Sequence, residues 1–191
     1  GKTKSAVRHA GFRDKTIARI QHSVKEKNWS EARSAIQEEI VFQPADHWLW
    51  FTLGLTYYEQ HDYEKALKCS EWAVHLQPSC PLALWHYAGS LYMSGRGESA
   101  LAIWISLINM DLEEVAHGEH GEGMDWALQL INDVQYRIGR YYQDVGRGDL
   151  AIASFRKYLH NRKHGVGSIY DSKSVEDFVH DLESLPAVVG A

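Results

Sequence analysis

With 191 residues, 45% of them hydrophobic and 24% charged, the chain has the length and composition of one globular domain with a sizeable core, not of a disordered segment. A net charge of −5 without a long basic run argues against nucleic acid or an anionic membrane surface as the main partner. Two cysteines, Cys69 and Cys80, are too few for a disulfide framework, and no apolar run approaches the roughly 18 residues of a membrane span.

The chain opens with GKTKSAVRHAGFR, residues 1–13, charged and without the apolar core of a signal peptide. It is expected to be an N-terminal arm, and the compartment a reducing cytoplasm. A weakly patterned helix is expected over 14–26. Next comes NWSEARSAI (28–36), which aligns with DYEKALKCS (62–70), RGESALAIW (96–104) and RGDLAIASF (147–155). Each has a turn residue, a polar step, an alanine and an apolar helix. The alanines are Ala32, Ala66, Ala100 and Ala151, at intervals of 34, 34 and 51 residues, so the last interval is one period with 17 residues inserted.

Between these stretches lie partner helices. HWLWFTLGLTYY (47–58) places Trp50, Leu53, Gly54 and Tyr57 on one helical face. Leu84, Tyr87, Ala88 and Leu91 follow in the next unit, and Ile138, Gly139 and Tyr142 in the last. The small residues Gly54, Ala88 and Gly139 mark close helix approach. Pro44 and Pro78 close units. The insertion, DLEEVAHGEHGEGMDWA (111–127), is expected to lengthen the helices on both sides by about two turns around a glycine-rich tip, with a floppy loop as the competing view. After HNRKHGVGSIYD, the stripe Val175, Phe178, Val179, Leu182 and Leu185 predicts an amphipathic helix over 174–185, started by Ser174 with Asp177 three residues on. The tail PAVVGA is expected to be ragged.

A 34-residue period with Trp50, Leu53, Gly54, Tyr57, Ala66, Ala73 and Pro78 resembles the tetratricopeptide repeat. Ser70 departs from the large aromatic that this family prefers there. The resemblance implies an all-α solenoid of antiparallel helix pairs, a right-handed superhelix, with the C-terminal helix as its cap. The expected repeats are 14–46, 47–80, 81–112 and 124–162, interrupted by the insertion and followed by loop, cap and tail over 163–191.

In this family the first helix of each pair lines a concave surface. The resemblance therefore assigns peptide binding to Trp48, Phe51, Leu55 and Tyr58, to Trp85 and Tyr92 in the next repeat, and to Tyr136, Arg137 and Arg140 in the last. Such a wall is aromatic in the middle and basic at one end, and aromatics and arginine anchor interfaces. The family's lysine and asparagine clamp for a terminal carboxylate is absent, since Phe51, Leu55 and Trp85 hold places where polar residues would be expected. The expectation is a non-enzymatic adaptor that binds an apolar or aromatic polypeptide segment, with an acidic residue near Arg137 and Arg140.

The rival readings are a secretion-type chaperone or assembly factor, and a self-associating homo-oligomer whose groove is filled by its own chain or a second copy. No catalytic residue, metal site or cofactor is assigned. His117 and His120, with Glu119 and Glu122, have the only ligand-like spacing, and glycines surround them, so a solvated acidic loop is preferred. Cys69 and Cys80 lack the partners of a nucleophile. GRGE (95–98) and GRGD (146–149) are too short to cradle a phosphate.

Overall fold

Alternation of apolar helical faces with turn residues is realised as helix after helix. The computed structural model describes residues 4–186, the first ten by backbone alone, and no strand occurs among the described residues. The helices are α1 (Lys4–Lys25), α2 (Trp29–Ile40), α3 (His47–Glu59), α4 (Tyr63–Leu76), α5 (Pro81–Met93), α6 (Gly97–Ile108), α7 (Leu112–His117), α8 (Met124–Asp144), α9 (Gly148–Lys163) and α10 (Ser172–Ser184). They fall into two compact units, 1–96 and 97–191. The stretch expected to be an arm is largely helical, because α1 begins at Lys4. Residues 187–191, most of the tail, lie outside the described residues.

The repeat is written into the backbone of its turns. Lys27, His61, Gly95 and Gly146 follow the period of the alanines, and each has a left-handed φ, of 56°, 63°, 80° and 76°. One residue later, the same closing bond recurs four times. The N–H of Asn28 donates to Ser23 O (2.8 Å), Asp62 to Tyr57 O (2.9 Å), Arg96 to Leu91 O (2.9 Å) and Arg147 to Tyr142 O (2.8 Å). This is the helix-ending arrangement that satisfies an orphan carbonyl and turns the chain back. Asn28 and Asp62 then cap the following helix by accepting from the N–H of Glu31 and Lys65.

In the first unit, α1 packs on α2, α2 on α3, α3 on α4, and α5 on both α3 and α4. One core cluster joins Ile20, Ala35, Ile36, Leu49, Leu53 and Cys69; another joins Phe51, Ala73, Cys80 and Ala83. In the second unit α8 pairs with α9, α6 and α7 lie on α8, and α10 lies on α9. Its largest cluster holds Ala151, Phe155, Tyr158 and Val175, so the C-terminal helix does cover the last pair.

Two local expectations are corrected. The insertion lengthens α8 at its start but does not extend α6. Asp111 takes over as the cap of a separate helix, its side chain accepting from Glu114 N–H at 2.9 Å. The turn that follows is close-packed: a Cβ on Gly118 would strike Glu114 O, and one on Gly121 would strike Ala116 O. Val115 and Ala116 are buried against Ala127. Helix α10 starts at Ser172 instead of 174, because Asp171 caps it through the N–H groups of Lys173 and Ser174. The carboxylate immediately ahead of the helix outcompetes the Ser174 hydroxyl for that role.

Candidate functional site: the inner helix faces

The residues assigned to peptide binding divide between the two units. In the first, α3 carries Trp48, Phe51, Leu55 and Tyr58, and α5 carries Trp85 and Tyr92. Phe51 differs from the expectation of an open wall. Only 4% of it is exposed, and its ring stacks on His86 (4.9 Å between centroids) with the His47 ring at its edge (5.8 Å). The ring reaches across to α5 and becomes core. Burial drives the His86 pKa down to about 4, so the imidazole is neutral in this stack.

The other five are half-buried. Trp48 packs against both core clusters of this unit. The Tyr58 ring meets Tyr63 edge-on at 5.4 Å, and its Cε2 lies 3.9 Å from where a Cβ on Gly89 would stand. No other heavy atom comes within 4 Å of that point, apart from the helix's own backbone and Gly89's neighbours. Tyr58 and Gly89 therefore form a dip between α3 and α5, with an aromatic ring on its flank.

In the second unit the equivalent face is covered by the chain itself. Tyr136 stacks on Tyr170 at 3.7 Å between centroids and leans on Phe155 and Tyr158. The Arg137 guanidinium lies over the Tyr170 ring (5.5 Å) and that of Arg140 over the Phe178 ring (4.7 Å). Arg140 also donates to Gln143 Oε1 at 3.0 Å. The two arginines expected to receive a partner's acidic residue are thus held on aromatic faces of the C-terminal segment.

A buried polar network fastens that segment. Asp133 accepts from the Ser168 hydroxyl and from the Ile169 N–H. The Tyr158 hydroxyl bonds Ser168 Oγ (2.7 Å) and Tyr170 O (3.1 Å). Asn132 donates to Tyr158 O and accepts from Asn161, while Arg162 reaches Ser172 Oγ and Val166 O. Desolvation raises the Asp133 pKa to about 6, against the opposing pull of the Ser168 and Ile169 hydrogen bonds and of Arg162 and Arg137. The sequence analysis does not assign this role to Asp133. The available signal was Asn132–Asp133, two polar residues inside an apolar helical pattern.

His117 sits by Glu113 (3.8 Å) and His120 by Glu119 (4.0 Å). Cys69 is buried, and desolvation followed by the charge of Asp62 raises its thiol to about 11, which makes it a poor nucleophile. No described helix is long and apolar enough to cross a membrane.

A family model for the tetratricopeptide repeat matches residues 51–108. No curated protein matches the chain. Among solved structures, the crystal structure of MamA protein superposes with a TM-score of 0.59 at 14% identity, over 88% of this chain and 84% of that one. The MamA RS-1 ArsTM double mutant gives 0.55 at 15% identity, over 89% and 93%. At such identities the likeness is one of fold. The fold is that of generally non-enzymatic scaffolds with protein partners. The helix pairs, their recurring turns and the pattern matched over residues 51–108 together give this chain the tetratricopeptide-repeat fold.

Proposed function

We propose that this scaffold binds an apolar or aromatic polypeptide segment along α3 and α5 of its first unit, against Trp48, Leu55, Tyr58, Trp85 and Tyr92. The observation that carries the reading is the dip at Gly89, flanked by Tyr58 and big enough at its base to admit an added side-chain carbon without a clash. A rigid helix pair holds the aromatics in place before a partner arrives, which lowers the ordering cost of binding. Each well-buried aromatic anchor would contribute on the order of 2 kcal/mol.

Tyr136, Arg137 and Arg140 are left out of this surface. The stacking of Tyr170 and Phe178 on them favours the self-filling reading for the second unit. The test is selection from a displayed peptide library against the full chain. Enrichment of aromatic or leucine-rich segments is expected, with binding weakened at least tenfold by Trp85→Ala or by Gly89→Phe and unchanged by Arg137→Ala. Selected peptides that bind Gly89→Phe as tightly as the parent would remove the proposal.

A further inference from the structure

Gln135 follows Trp50 by the same interval as Gly139 follows Gly54 and Ala151 follows Ala66. The two positions are equivalent, but the residues differ in bulk and polarity. Trp50 packs against both core clusters of its unit, and its Nε1 donates to Pro44 O at 2.8 Å. Gln135 is too small to do the same between α8 and α9. A shallow hollow of about 350 Å³, open to solvent, lies there, lined by Gln135, Arg156, Lys157, His160 and Asn161.

Its wall is rich in donors. Lys157 makes no ion pair among the described residues, so its ammonium is available to a ligand. Arg156 is paired with Glu183 of α10, which neutralises one cation but leaves other guanidinium N–H groups unused. The Asn161 amide is fixed by its bond to Asn132 Oδ1 at 3.0 Å, and the His160 ring lies against that of His164, 4.3 Å between centroids. Gln135, also in the lining, carries two more N–H donors on its carboxamide.

We propose that this hollow binds an oxyanion, with Lys157 and the spare guanidinium face of Arg156 supplying charge and Gln135 supplying a neutral donor. The chemistry is shared by free phosphate and by an acidic side chain of a bound polypeptide. The site is independent of the apolar surface on α3 and α5, because it involves none of its residues.

The test is an NMR titration of the isotope-labelled full chain at constant ionic strength. One arm uses inorganic phosphate and the other a capped tripeptide with a central glutamate. Saturable shifts of the Gln135 side-chain amide and the Lys157 and Asn161 backbone amides are expected in at least one arm. Tighter binding of phosphate identifies a free ion as the ligand; tighter binding of the tripeptide identifies a partner's side chain. Lys157→Gln, an exposed change that leaves the fold alone, should weaken the binding about tenfold. Gln135→Trp should fill the hollow, abolish the shifts and keep or raise the melting temperature. The proposal is overturned if neither arm saturates, if shifts scatter over all surface lysines and arginines, or if Lys157→Gln binds as well as the parent.

Discussion

The hairpins α3–α4 and α8–α9 solve one packing problem in two ways. Each places a glycine, Gly54 or Gly139, where its helices come closest. Opposite Gly54 stands Ser70, fully buried and hydrogen-bonded to Ala66 O at 2.9 Å, so that backbone approaches backbone. Opposite Gly139 stands the ring of Phe155, fully buried and occupying the place a Cβ would need. The first hairpin gains contact by closeness, the second by bulk. Around Phe155 the second also gathers Tyr136, Tyr158 and Phe178, and with them the C-terminal segment. A family's aromatic preference is therefore dispensable where the helices can close the gap.

The contrast can be broken most severely at Phe155. Phe155→Ala should cost about 4 kcal/mol, because it removes a buried ring and leaves a cavity under Gly139. Denaturant unfolding checks this, and a loss below about 1 kcal/mol would mean that α8 and α9 collapse as α3 and α4 do.

Acidity should separate the two units next, with an effect on the order of 2 kcal/mol each. The Asp133 pKa is raised when folded, from 3.8 to about 6. Its contribution to stability is full below 3.8 and lost as pH rises through about 6. The His86 pKa is lowered when folded, from 6.5 to about 4. Its contribution is present above 6.5 and lost as pH falls towards 4. Between pH 4 and 6, then, acid strengthens the second unit through Asp133 and weakens the first through His86. Amide hydrogen exchange read separately on α3–α5 and α8–α9 measures both slopes. Asp133→Asn should flatten one, and His86→Phe the other.

Smaller still is the effect of adding one methyl at each close approach. Gly139→Ala should lose about 2 kcal/mol against the Phe155 ring. Gly54→Ala meets Ala66 O at 3.2 Å and Cys69 Cβ at 3.3 Å and should lose less than half of that, since the helix itself gains about 1 kcal/mol from alanine. Equal losses in parallel melts would erase the distinction. The smallest expected effect lies in the turns, where His61→Gly should gain up to about 1 kcal/mol by relieving a left-handed φ of 63°, while Gly95→Ala at the equivalent place loses a similar amount.

Much of the fold was legible because its signals are local and repeated. The alanine spacing, the turn residues and the small residues at close approaches all found their places in helix pairs. Less of the site could be read. Phe51 lies on the helical face that points to the groove in this family, yet its length lets it reach His86, and a helical wheel carries no side-chain reach. The contacts of Tyr136, Arg137 and Arg140 with Tyr170 and Phe178 could not be read, because those two rings lie some thirty to forty residues away in the chain and belong to no repeat. Asp171 was overlooked as a cap because Ser174 offered a familiar motif three residues later.

The seventeen additional residues around α7 are folded as a module with its own cap, turn and small buried contact, and they return the chain to α8 without disturbing the period. Such a bracket decouples length from register. The stretch from Gly118 to Gly123 should therefore accept variation in side chain at Glu119 and Glu122, or a grafted epitope between them, while the tight corners at Gly118 and Gly121 are kept.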